Sequence, residues 1–228
     1  MPYEQQLKRK QTEIAKLLKP YCQVEKIIGM DDPFHYRNKV HAVFGHKKDG
    51  TVISGIYQEG THFIVPVDEC LIEDQRADAI IRDIRGLLKS FKIKTYNEDT
   101  GYGLFRHVLL RYGFTTKEIM VCFVVNKDKA DKSGEWFPHQ KELVEELAKI
   151  DGMTSITASP NTKRTNVIMG DTFEVLWGQG YITDYIGSVK YQISPLSFYQ
   201  VNPVQTEKLY SQALEYAGLK GDETVWDL

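Results

Sequence analysis

Apolar and polar positions change period several times along the chain, and each change marks an element. Residues 3–18 carry Leu7, Ile14, Leu17 and Leu18 among many charges, the sparse stripe of an amphipathic helix that Lys19-Pro20 ends. Stretches 22–28, 39–46 and 51–57 then read as strands, with Lys48-Asp49-Gly50 as a hairpin turn between the last two. A short run at 63–67 follows Glu59-Gly60. Residues 74–91 give the clearest helix, because Ala77, Ile80, Ile81, Ile84, Leu87 and Leu88 recur at helical spacing. Residues 105–112 and 118–125 predict a hairpin around Gly113-Phe114-Thr115, and 137–148 a further helix. Strands are expected at 155–159, 172–176, 181–186 and 189–193, then a helix over 203–217 stopped by Gly218. An apolar strand is expected to begin at 223.

Strands that mostly follow one another in hairpins, with helices interspersed, predict an α+β fold with a largely antiparallel sheet. From Pro203 the pattern differs: a helix, a Gly-Asp turn and an apolar strand ending in Asp227 resemble the opening of a doubly wound α/β domain. The expected boundary puts a central α+β domain over residues 1–194 and the first helix and strand of a Rossmann-like domain over 195–228.

Composition narrows the class. The chain has 228 residues, 42% hydrophobic, enough for a substantial core. A net charge of −2 gives no bulk attraction to nucleic acid, so any basic surface must be local. Cys22, Cys70 and Cys122 are odd in number and far apart, which argues against a disulfide scaffold and for a reducing cytoplasm. The N-terminal residues have no apolar core of a signal peptide, and no apolar run is long enough to span a bilayer.

Three constellations carry candidate chemistry. In Phe34-His35-Tyr36-Arg37-Asn38-Lys39, two cations and aromatics stand at a strand entrance, a combination that can hold phosphates and stack on unpaired bases. The residues alone favour the plainer alternative, a solvated strand end. In Phe105-Arg106-His107-Val108-Leu109-Leu110-Arg111, alternation puts Arg106 with Val108 and Leu110, and His107 with Leu109 and Arg111. An arginine beside a buried face wants a carboxylate or a phosphate. Here the residues slightly favour an internal ion pair. In Ser194-Pro195-Leu196-Ser197-Phe198-Tyr199-Gln200-Val201-Asn202-Pro203, Asn202 is placed to cap the following helix, whereas Gln200 has no such structural duty. Cys70, taken alone, reads as a small buried apolar residue.

These segments together resemble the RNA uracil-C5 methyltransferases, in particular the bacterial 23S rRNA enzymes and their relatives that act on tRNA uracil-54. The matching stretches are Tyr36-Arg37-Asn38-Lys39, Ser54-Gly55-Ile56-Tyr57 through Val67-Asp68-Glu69-Cys70, Leu104-Phe105-Arg106-His107-Val108 and Asn166-Val167-Ile168-Met169-Gly170. The most specific is Ile193-Ser194-Pro195 through Phe198-Tyr199-Gln200-Val201-Asn202-Pro203, followed by Val225-Trp226-Asp227-Leu228. The resemblance implies an enzyme that makes 5-methyluridine with S-adenosylmethionine, most naturally in 23S rRNA, as a cytoplasmic monomer with no membrane association. It implies that Gln200 contacts the cofactor, that Phe198 lies near the target nucleotide, and that Arg37, Lys39, Arg106 and Arg111 contact RNA. It matches Cys70 to the fourth ligand of a [4Fe–4S] cluster whose other three cysteines would lie just before the position of Tyr3, with an N-terminal RNA-binding barrel also upstream. It also places the nucleophilic cysteine, which adds to uracil C6, and the base that removes the C5 proton after Leu228. No catalytic residue is therefore expected within these 228 residues. Two other readings compete: a stand-alone RNA-binding module without catalysis, and an interaction domain with no role in RNA.

Overall fold

The computed structural model describes residues 1–226. They form two compact units, His35–Pro203 and a smaller one that joins Met1–Phe34 to the chain from Val204 onward. The helices are α1 (Tyr3–Leu18), α2 (Gln75–Ser90), α3 (Gln140–Ala148) and α4 (Pro203–Ala217).

The larger unit is built on a seven-stranded sheet of β1 (Lys39–His46), β2 (Val52–Tyr57), β3 (Ile64–Pro66), β4 (Phe105–Tyr112), β5 (Ile119–Val125), β6 (Met153–Pro160) and β7 (Glu174–Gly178). Their order is β3-β2-β1-β4-β5-β6-β7. Every pairing is antiparallel except β5 with β6, which α3 connects as a crossover. The expected α+β fold with a mostly antiparallel sheet is the observed one.

One face of the sheet carries the core. Val40, Ala42 and Phe44 of β1, Val108 and Leu110 of β4, and Val121, Phe123 and Val125 of β5 share it with Ile80, Ile84 and Leu88 of α2 and Leu143 and Leu147 of α3. The rings of Phe105, Phe123 and Phe137 meet edge-on or tilted, with centroids 5.2, 5.3 and 6.1 Å apart. Burying each such side chain contributes about 1.5–3 kcal/mol. Asp74 caps α2 by accepting the Arg76 amide N–H at 2.9 Å, which fixes where the helix begins.

A second, two-stranded sheet, β8 (Ile182–Ile186) with β9 (Val189–Ile193), is pinned to the β4–β5 turn. The buried Asp184 carboxylate accepts the amides of Phe114 and Thr115 at 2.9 and 2.8 Å. Thr116 donates to the Thr183 carbonyl at 2.6 Å.

Three expectations about elements are corrected. Residues 22–28 form no strand, because side chains serve their backbone: Gln11 Oε1 accepts the Ile27 N–H at 2.6 Å, Gln11 Nε2 donates to Glu25 O at 2.9 Å, and Gln205 Nε2 donates to Ile28 O at 2.9 Å. The third helix starts at Gln140, not at 137, because Pro138 disfavours a helical Phe137 and His139 adopts a left-handed φ of 59°. Residues 223–226 carry no strand, and Asp227 and Leu228, matched to the opening of a cofactor motif, lie outside the described residues. No helix among the described residues is long and apolar enough to cross a membrane.

Candidate functional site

The face of the sheet opposite α2 and α3 holds the positions of the other parity. Lys39 stands opposite Arg111, His41 opposite Leu109, and Val43 opposite His107. Leu109 in turn faces Cys122, which faces Thr157. Ile182, Ile193 and Tyr199 pack with Met120 at one end of this face.

Cations cluster here. Lys39 and Arg111 are directly opposed on antiparallel strands, a pairing that like charges destabilise. The Lys39 ammonium is pushed toward neutrality by partial burial first, then by Arg111 and Arg37. Burial, then Lys39, Arg111 and Arg37, pull His41 down to about 4, so its ring is neutral near pH 7. Arg111 is buried and donates to the Ser197 carbonyl, yet its Nε has no partner, nor has His41 Nδ1. No ion pair among the described residues involves Arg37, Lys39 or Arg111. Opposed cations that form no ion pair make a site complementary to an anion, although Glu73 lies beside Arg37.

Arg106 takes a different course. Phe105 pairs with Val125 and His107 with Val124, so Arg106 is the extra residue of a β-bulge. Simple alternation therefore misplaced it. Its guanidinium is buried, bound to Glu98 at 2.7 Å and to the carbonyls of Asn161 and Lys163 at 2.9 Å each, with the Tyr96 ring 4.5 Å from its carbon. The resemblance implied an RNA contact here. The geometry shows the internal ion pair with Glu98, with Nε alone left unpartnered, as it is in the equally buried Arg111. His107 beside it is held down to about 3, mainly by burial and then by Arg106 and His41.

The crossover after β9 brings two motif segments together. Asn38 donates its side-chain N–H to the Gln200 carbonyl at 3.1 Å and its backbone N–H to the Val201 carbonyl at 3.1 Å. Ser197 Oγ accepts the Ser194 amide at 3.0 Å and tightens the bend. The Gln200 amide is half-buried and bonds to no described residue, as a group reserved for a ligand would. Phe198 is 85% exposed, a large ring with no core to serve. Arg37, Lys39, Arg111 and the 197–200 segment are thus adjacent; Arg106 is not part of that group, and Cys70 meets it only through the cavity it shares with Arg37 and His41. His41 and His107 went unnamed as site residues, although the alternation that grouped His107 with Arg111 was their signal.

Cys70 lies in a small cavity of about 200 Å³ with Arg37, His41, Glu73 and Asp78. Its amide N–H donates to Asp78 Oδ2 at 3.0 Å. Burial raises Asp78 and Glu73 above the ordinary carboxylate range. No group of three or more metal-ligating side chains occurs among the described residues, so one thiol beside carboxylates does not make an iron–sulfur donor set.

Similarity to known proteins sets this fold and site beside RNA methyltransferases. The chain is 43% identical over its whole length to an uncharacterized RNA methyltransferase of Halalkalibacterium halodurans and covers 49% of that protein. It is 41% identical over its whole length to an uncharacterized RNA methyltransferase of Clostridium tetani, again covering 49%. The chain spans about half the length of the curated relatives it matches. The crystal structure of Pyrococcus abyssi tRNA (uracil-54, C5)-methyltransferase with S-adenosyl-L-homocysteine superposes with a TM-score of 0.74 at 26% identity, over 94% of this chain and 48% of that one. No family model matches. The resemblance is therefore borne out in sequence by RNA methyltransferases and in structure by a tRNA (uracil-54, C5)-methyltransferase.

Proposed function

We propose that this chain is the RNA-contacting part of an S-adenosylmethionine-dependent methyltransferase that forms 5-methyluridine in RNA, with 23S rRNA as the substrate. The observation that carries the reading is similarity of the whole of this chain to about half the length of RNA methyltransferases, joined to a fold shared with part of a tRNA uracil-54 enzyme. Arg37, Lys39 and Arg111 supply the anion site for the RNA backbone, and Phe198 offers a ring on which a base near the target stacks. Gln200 presents an amide that can both donate and accept, suited to the amino-acid end of the cofactor. S-adenosylmethionine supplies the methyl group. Arg106 positions rather than binds, since it ties β4 to residues 161–163.

The test is transfer of tritiated methyl groups to unmodified 23S rRNA. A chain completed to the length of its relatives is expected to label uracil C5, and the 228 residues alone to label nothing. In the completed chain, Gln200→Ala is expected to weaken cofactor binding by about 1–3 kcal/mol, the usual effect of leaving a buried polar group unpaired. Label on any atom other than uracil C5, or equal cofactor affinity with and without Gln200, contradicts the assignment.

A further inference from the structure

A second cleft, of about 550 Å³, opens where the β1–β2 turn, the β2–β3 turn and residues 95–99 come together. Lys47 and Lys48 stand at it, with Tyr57, Phe63, Tyr96 and Asn97 among its walls. Its size suits a ligand rather than a few waters. Phe63 is 64% exposed, so packing does not explain a phenylalanine there. Of the cleft's acids, Glu98 is ion-paired with Arg106 at 2.7 Å, and Asp99 shares a hydrogen bond with His62 at 2.7 Å. Neither Lys47 nor Lys48 forms an ion pair among the described residues. The balance is an exposed aromatic ring, Phe63, with two lysines at the rim. That is the chemistry that takes a planar base with a phosphate attached.

The cleft also joins the face already described. The Tyr57 ring meets His107 edge-on, with centroids 6.2 Å apart. His107 lies on the same strand face as Arg111, roughly 13 Å away at about 3.3 Å per residue. The cleft thus lies at the Tyr57 end of the strand whose other end carries Arg111.

We propose that this cleft is a stacking subsite for one nucleotide of single-stranded RNA, separate from the segment that carries Phe198 and Gln200. The inference rests on the reading of this chain as an RNA-contacting protein. Binding of a fluorescently labelled, unstructured RNA of about a dozen nucleotides to the 228-residue chain tests it. Phe63→Ala is expected to weaken binding about tenfold with no change in salt dependence, because it removes stacking and no charge. Phe63→Trp restores it, and Lys47→Ala with Lys48→Ala lowers the salt slope by about two. Equal affinity of Phe63→Ala and parent overturns the subsite while Arg37 and Lys39 variants still report on the RNA reading. Absence of any RNA binding by the parent overturns both. A free nucleoside monophosphate that binds the parent as tightly as the oligonucleotide overturns RNA as the occupant.

Discussion

The two faces of one sheet have opposite characters. Toward α2 and α3, alternate residues of β1, β4 and β5 are Val40, Ala42, Phe44, Val108, Leu110, Val121 and Phe123, a continuous apolar layer. On the other face the same strands set Lys39, His41, His107 and Arg111 among Val43, Leu109, Met120, Cys122 and Val124. Because side chains alternate with period two, a one-residue slip would exchange the layers. The apolar face thus specifies the register, and the register sets Lys39 against Arg111. Stability generated on one side holds in place a charge arrangement that would not assemble by itself.

The strongest test of the apolar face is Phe123→Ala. Phe123 is fully buried and touches the rings of Phe105 and Phe137. Chemical denaturation is expected to show a loss of about 3–5 kcal/mol. A loss below about 1 kcal/mol would mean that the aromatic cluster does not organise the sheet.

Arg106→Ala probes the junction between the faces. It strands the largely buried Glu98 carboxylate and frees two backbone carbonyls, so a loss of about 3 kcal/mol or more is expected in the same measurement. A variant as stable as the parent would place Arg106 at a solvated surface and restore it as a candidate phosphate contact.

Acid separates the faces as well. The folded pKa values of His41 and His107, about 4 and about 3, lie below the ordinary 6.5. The unfolded chain then takes up protons before the folded one does. Stability is complete above about pH 6.5 and is lost as pH falls toward those folded values, at up to about 1.4 kcal/mol per pH unit for each site. His107→Asn should flatten the fall in melting temperature between pH 6 and pH 5. An unchanged profile would show that His107 is protonated in the folded protein.

Much of this was legible in the sequence, for reasons that differ by element. β4, β9, α1 and α4 have the expected limits because periodicity and flanking Pro or Gly mark both ends. Residues 22–28 have strand-like composition but pair with side chains of α1 and α4, a choice no local pattern encodes. Arg106 was misplaced because one extra residue in β4 breaks the alternation, and nothing in Phe105-Arg106-His107 marks it. The opposition of Lys39 and Arg111 was hidden because it joins strands far apart in the chain. The motif around Gln200 was visible, but its seat against Asn38 was not.

The central claim is that the polar face holds a nucleic-acid backbone, and the double variant Arg37→Ala, Lys39→Ala tests it most directly. Both cations are partly exposed, and removing Lys39 relieves its repulsion from Arg111, so stability should stay level or rise by about 0.2–1 kcal/mol. RNA affinity measured across a salt series should fall, with the slope reduced by about two, one for each lost phosphate contact. A variant that binds RNA with the parent's affinity and the parent's slope would contradict the account.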